Sequence, residues 1–439
     1  MPILEAEARL SPRLTVTRHR LSNGLGVILV PDPSAPVVSL HTWYRVGSSH
    51  ERPGKTGLAH LFEHLMFNQT AHHPAGEFDR LLEQVGGDTN AATWVDWTYY
   101  RDNLPAAALA LGLELEADRM ANLTLTDAQV ASEKEVVANE RRQRIDDDVD
   151  GEVAELVWKT AFKAHPYHWP TIGWMDDILG TTPDDARAFY RQHYAPERAT
   201  LVLAGAFERD GALAAIEKSH GGIPRGSAPL PPQAPAEPPI DGVLRKTIRR
   251  PIAQPRGVIA FRGVGHDDPD WASLQIAIEL LVGGETSRLH RRLVTDEERA
   301  SAVHGSVSPT RDPGLVELAL DAQRGHGWNE LEEIVCGELA RMGAAPPSAP
   351  ELEKARARLE TGFWGELETA DGKAEALGHF ETTGGDFRRL LAVADALRTT
   401  TAEDVQRACA RIFDLERRAV VVVEPDEPGR DDRAEELAA

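Results

Sequence analysis

Two homologous α+β domains are the fold class this sequence predicts, each an open, mostly antiparallel sheet with helices packed on one face. Three observations carry the prediction. The chain has 439 residues against a usual domain of ~100–200; prolines crowd into one central stretch; and strand-like and helix-like segments follow in a similar order on either side of it.

The central stretch is GSAPLPPQAPAEPPIDG, Gly226 to Gly242, too rich in proline for helix or strand to persist. It reads as an extended linker between a domain at 1–225 and another at 243–439. The first domain opens with the apolar runs LGVILV and VVSLHTWYRV. Helix patterns follow over Gly57–Phe67 and Gly76–Val85, then strand-like NAATWVDWTYYRDNL, long helices at Ala106–Met120 and Asp127–Arg144, and the buried strand ATLVLAG at Ala199–Gly205. The second has strand-like GVIAF, helix patterns at Trp271–Leu281 and Ser287–Leu293, strand-like GLVELAL, long helices, and a last strand AVVVVEP.

Composition limits the function classes. Acids outnumber bases 70 to 48, a formal charge of −22, which argues against nucleic acid or an anionic membrane as main partner. An apolar content of 41% suits a folded globular chain. The first twenty residues carry charges from Glu5 onward and show no signal-peptide core of ~7–15 apolar residues, so a cytoplasmic location is expected; a removed leader is the route to a periplasmic one. The two cysteines, Cys336 and Cys409, have no metal or disulfide spacing and read as small buried side chains.

The chemistry concentrates in GLAHLFEHLMF, where His60, Glu63 and His64 form H-x-x-E-H. On a helix these positions share a face, so two imidazoles converge on one metal ion and a carboxylate lies beside them. Leu58, Leu61, Phe62 and Leu65 cover the other faces and bury the helix. Buried polar groups of this kind are costly unless a metal or hydrogen bonds satisfy them. A third ligand must come from elsewhere, and the helix DAQVASEKEVVANERRQRI offers Glu133 and Glu140, seven apart on one face with Val136 and Val137 between them; Glu135 points away. Helical geometry leaves open which of the two binds the metal and which stands behind it.

HLFEH followed by EKEVVANE resembles the inverted zinc motif of the pitrilysin, insulinase and mitochondrial processing peptidase superfamily, in its bacterial half-length form. LSNGL, VGSSHE, GGDTNAATWVDWTYY, HPY and IG resemble further family blocks, in order, across most of the first half. The resemblance implies a fold of the LuxS and mitochondrial processing peptidase type and one zinc ion per chain, held by His60, His64 and Glu140. It further implies Glu63 as the general base that activates water and Glu133 as the supporting acid. Asn90, Ala91 and Thr93 match the family's edge strand, on which an extended peptide is laid.

The second half departs from the pattern. In GGETSRLHRRLVTDEERASAV, where Ser287, Arg288 and Leu289 are in place, the Arg-x6-Tyr pair of many members falls on Val294 and Ser301, neither of which supplies a cation or a phenol. Arg292 and Arg299 have no tyrosine at the matching spacing. The expected protein is therefore a zinc-dependent endopeptidase acting on peptides or unfolded segments, basic ones in view of its charge. It would be the metal-bearing subunit of a heterodimer whose homologous partner lacks the zinc motif and carries Arg-x6-Tyr; a homodimer is the alternative. Two other readings stand beside it: a peptidase dedicated to one leader or precursor, and a non-catalytic scaffold like the core proteins of a respiratory complex. His72 and His73 read as solvated or supporting polar residues. Asp146, Asp147, Asp148 and Asp150 read as a solvated helix end, and EPDEPGRDDRAEELAA as a frayed tail.

Overall fold

A computed structural model describes residues 2–226 and 234–426; part of the proline-rich linker, 227–233, and most of the charged tail, 427–439, lie outside the described residues. The chain begins with strands β1 (Ile3–Arg9), β2 (Thr15–Arg20), β3 (Gly26–Pro31) and β4 (Val37–Tyr44), then helices α1 (Leu58–Leu65) and α2 (Glu77–Gln84). The hairpin β5 (Asp88–Thr93) and β6 (Thr98–Pro105) leads into α3 (Leu109–Asn122), α4 (Asp127–Arg141) and α5 (Val149–Ala161). After α6 (Met175–Gly180) and α7 (Pro183–His193) come β7 (Ala199–Gly205) and α8 (Arg209–His220).

Past the linker are β8 (Val243–Arg250), β9 (Arg256–Arg262), α9 (Asp270–Val282), β10 (Ala300–Val307) and β11 (Leu315–Ala322). The long helices α10 (Trp328–Ala344), α11 (Ala349–Glu366), α12 (Ala370–Gly384), α13 (Arg389–Thr399) and α14 (Ala402–Ile412) precede β12 (Arg418–Pro425). Among these residues no helix is long and apolar enough to cross a membrane.

Within the described residues, one compact unit comprises 2–143, 164–226, 234–236 and 360–398, and the other 144–163, 237–359 and 399–426. The first holds a sheet ordered β1-β2-β3-β7-β4-β6-β5, the second one ordered β10-β11-β9-β12-β8. Each has a single parallel pair, β3 with β7 and β8 with β12, and is otherwise antiparallel. Removing β1 and β2 leaves the first sheet as β3-β7-β4-β6-β5, which repeats β8-β12-β9-β11-β10 strand for strand. The internal duplication read from the sequence is thus written in the topology.

Neither unit coincides with one sequence half. α5, from the first half, packs on β8, β9 and β12, while α12, from the second, packs on β4 and β7. The two faces of β4 show why. Leu40 and Thr42 meet α3, with Thr42 Oγ1 donating to Glu116 at 2.7 Å, whereas His41 and Trp43 meet α12, with His41 Nε2 2.9 Å from Asp371. The unit's own helices cover one face and the returning helix covers the other. Central strands are accordingly buried on both sides: β7 is buried at all seven positions. Beneath α12 lie Ile28, Trp43, Tyr99, Val202 and Ala204, joined by Leu367, Ala374, Leu377, Phe387 and Leu390.

Candidate metal centre

α1 is short and apolar. Leu58, Ala59, His60, Leu61, Phe62 and Leu65 are buried, and only Glu63 and His64 reach partial exposure within its span. Phe62 packs against Tyr190 and Tyr194, with ring centroids 5.6 and 4.4 Å away. Tyr100 Oη donates towards the Phe62 carbonyl at 3.4 Å. With its back fixed in this way, the helix turns His60 and His64 towards α4.

α4 starts at a capping box in which Thr126 and Gln129 exchange hydrogen bonds. It buries Val130, Val137 and Ala138. Val136, expected beside Val137, is instead 46% exposed, because consecutive helical residues lie about 100° apart.

Glu140 Oε2 sits 3.6 Å from His60 Nε2 and 3.3 Å from His64 Nε2. One ligand atom from each of His60, His64 and Glu140 lies within 4.8 Å of the others, the one such group among the described residues. Glu133 stands on the other side of His64, its Oε2 3.7 Å from Nδ1. A histidine that offers one ring nitrogen to a metal and the other to a carboxylate is a recurrent supporting arrangement at zinc. The donor set of two imidazoles and one carboxylate fits a zinc ion with a position left open.

Electrostatics agree with this layout. Burial pulls the His64 pKa down, but the Glu133 and Glu140 carboxylates override it and carry it up to about 9. The His64 contact and the Asn68 amide hold Glu133 below the usual carboxylate range against the opposing effect of burial. Such a site draws cationic character to the space between the carboxylates, which a divalent ion supplies.

Glu63, His64, Phe67, Asn68 and Glu133 line a cleft of about 310 Å³. Sequence reasoning passed over Asn68, whose Nδ2 donates to Glu133 Oε1 at 3.1 Å. The available signal was its nearness in sequence to His64, four residues on and just past the end of α1 at Leu65.

β5 is an edge strand of its sheet and packs against α1. Ala91 and Thr93 pair with Tyr100 and Thr98 and share the α1 side, where Tyr100 meets Phe62. Asn90 pairs with Arg101, whose guanidinium turns the other way to Asp371 at 3.0 Å. Among the three edge residues, Ala91 and Thr93 are thus on the side of the metal helix and Asn90 is opposite.

His72 is 66% exposed with Nδ1 2.5 Å from Asp118, and His73 approaches Glu77. In the acidic run, Asp148 caps α5 and Asp150 pairs with Arg256 at 2.9 Å. Cys409 is buried and Cys336 partly so, both as free thiols. In the other unit, Val294 lies in a wide helical turn and the exposed Ser301 donates to the Asp321 carbonyl at 3.4 Å. Arg292 and Arg299 are held by Glu297 at 2.8 and 2.6 Å.

Comparison with known proteins accords with these features. Residues 26–173 match the family described as insulinase (peptidase family M16), and residues 180–359 match the peptidase M16 inactive domain. The chain is 29% identical to the zinc protease PqqE of Helicobacter pylori over 84% of this chain and 83% of that protein. Identity to the mitochondrial-processing peptidase subunit beta of Lentinula edodes is 23%, over 89% and 86% of the two chains. A crystal structure of a protease from Helicobacter pylori superposes with a TM-score of 0.89 at 26% identity, covering 93% of this chain and 99% of that one. Matched by family profiles across both sequence halves and by a whole-chain structural likeness, the chain belongs to the peptidase M16 (insulinase) family and resembles its zinc proteases.

Proposed function

We propose that this protein is a zinc-dependent endopeptidase that cuts peptides or unfolded segments. The observation that carries the reading is the convergence of His60, His64 and Glu140 ligand atoms within 4.8 Å beside a cleft lined by Glu63. A zinc ion bound there supplies Lewis acidity towards a peptide carbonyl at neutral pH. His60, His64 and Glu140 hold it, and Glu133 keeps the His64 ring oriented through Nδ1. Glu63 takes the proton of the attacking water and returns it to the leaving amine. An extended substrate adds to the free edge of β5, with Ala91 and Thr93 towards α1.

The protein acts as the metal-bearing subunit of a heterodimer. Val294 and Ser301 supply no oxyanion-binding pair, and the nearby Arg292 and Arg299 are committed to Glu297. A homologous partner with Arg-x6-Tyr completes the site. A narrower reading, maturation of one precursor, is favoured by the similarity to a mitochondrial-processing peptidase subunit.

Metal analysis of the purified chain is expected to give one zinc per chain, and Glu63→Gln to keep the metal while abolishing hydrolysis. Turnover by Glu63→Gln would remove Glu63 from the base role. Full activity of the chain alone, without a partner, would sink the split-site reading.

A further inference from the structure

The helices that carry the ligand side chains are far apart in sequence, so packing must fix their mutual position. α1 starts without a cap of its own, since Gly57 precedes it at φ 85° with no side chain to offer. Glu51 takes that place from six residues upstream. Its Oε2 accepts the Gly57 N–H at 2.9 Å and its Oε1 the Ala59 N–H at 2.7 Å, satisfying donors that a helix start otherwise leaves open.

The end of α4 is tied to the same place. Arg141, 6% exposed, donates from Nη1 to the Gly173 carbonyl at 2.9 Å. Gly173 has φ 87°, and a Cβ there would fall 2.5 Å from Gly57 Cα; a Cβ on Gly57 would fall 2.4 Å from the Ile172 carbonyl oxygen. The two backbones therefore touch with no side chain between them. Thr56 closes the joint, accepting Trp174 N–H at 2.9 Å and donating from Oγ1 to Asp177 at 2.7 Å. A rigid path thus runs from the residue after Glu140, through Gly173, to a residue three before His60.

We propose that Glu51 and Arg141 are positioning residues that set α1 against α4 and so hold Glu140 at metal-binding distance from His60 and His64. The inference rests on the zinc reading above. Neither residue belongs to the His60, His64 and Glu140 group or lines the cleft. Their effect passes through the placement of the ligands, where supporting interactions are typically worth about 10–100-fold in metal affinity.

The test compares the full-length wild type with Glu51→Gln, Arg141→Lys and the milder Thr56→Val, which keeps the shape and loses only the hydroxyl. Leu320→Ala, in the core of the other unit, is the control for general destabilisation. Zinc affinity is measured by chelator competition, ligand geometry by the visible spectrum of the Co²⁺ form, and folding by circular dichroism and Tm. Glu51→Gln and Arg141→Lys are expected to bind zinc at least about tenfold more weakly and to alter the Co²⁺ spectrum. Thr56→Val should weaken zinc severalfold, and Leu320→Ala should lose Tm without losing affinity. Folded variants with wild-type affinity and spectrum would overturn the proposal, as would an equal affinity loss in Leu320→Ala. If either stronger variant fails to fold, Thr56→Val decides on the same two readouts. A wild type that binds no metal refutes the zinc reading itself, an outcome distinct from these.

Discussion

Cutting the chain in the linker, to give polypeptides 1–226 and 234–439, should leave two fragments that do not fold alone. The first fragment would keep all seven strands of its sheet but lose the cover on one face. Leu367, Leu377, Phe387 and Leu390, each at most 6% exposed, all come from the second half. At roughly 1.5–3 kcal/mol per buried large side chain, their removal costs about 6–12 kcal/mol, comparable with the ~5–15 kcal/mol that stabilises a whole domain. The loss goes beyond area, because α12 also brings Asp371 to His41 at 2.9 Å, Lys373 to Asp32 at 3.0 Å and Glu381 to Arg18 at 3.1 Å. Without these partners the buried His41 and its neighbours are left uncompensated. The second fragment loses α5, and with it the Phe162 ring 3.7 Å from the Arg262 guanidinium. Urea titrations followed by circular dichroism should show no cooperative transition for either fragment, and one transition after co-refolding. Cooperative unfolding of 1–226 alone, with the m-value of a complete domain, would refute the reasoning.

Gly378→Ala should destabilise the protein although alanine favours helix by about 1 kcal/mol, because its Cβ would lie 2.0 Å from Trp43 Nε1. The overpacking, about 1–3 kcal/mol, outweighs the propensity gain, and a calorimetric Tm above wild type would contradict this. Glu140→Gln should weaken zinc more than Glu133→Gln in chelator competition, since Glu140 faces both Nε2 atoms; the reverse order would exchange the two roles. Burial, then the charges of His50 and Arg198, press the His193 pKa from 6.5 to about 3. The unfolded chain therefore binds the extra proton first, and the stability contribution, complete above pH 6.5, is lost as pH falls towards 3. It has declined by about 2 kcal/mol at pH 5. His193→Phe should accordingly shift the acid-unfolding midpoint to lower pH, and an unchanged midpoint would show that His193 does not contribute.

The sequence was most informative where a pattern is local. ATLVLAG announced β7 to the residue, since a short, nearly continuous apolar run ending at a glycine suits a strand buried on both faces. H-x-x-E-H announced a shared helical face because three- and four-residue spacing decides it. β1 is hard to read from sequence, because Glu5, Glu7 and Arg9 interrupt the apolar residues of a strand with exposed positions. The destinations of α5 and α12 were illegible for another reason: amphipathicity tells that a face is buried but not against which sheet. The roles of Glu133 and Glu140 needed coordinates, because both lie on one face of α4 and only the position of α1 separates them. Glu51 was hidden by distance, since a helix cap is sought beside the helix and this one comes from six residues before Gly57.

The free margin of β5 has a consequence for solution behaviour. A strand edge with unpaired amides and carbonyls will accept any extended chain, including one from another copy of the same protein. Here the edge is only six residues long and reads DTNAAT, with Asp88 and Asn90 exposed and no large aliphatic or aromatic residue to zip against a twin. Brevity and polarity at this margin lower its tendency to seed fibres, so replacing Asp88 and Asn90 with valine would be expected to cost solubility before it cost stability.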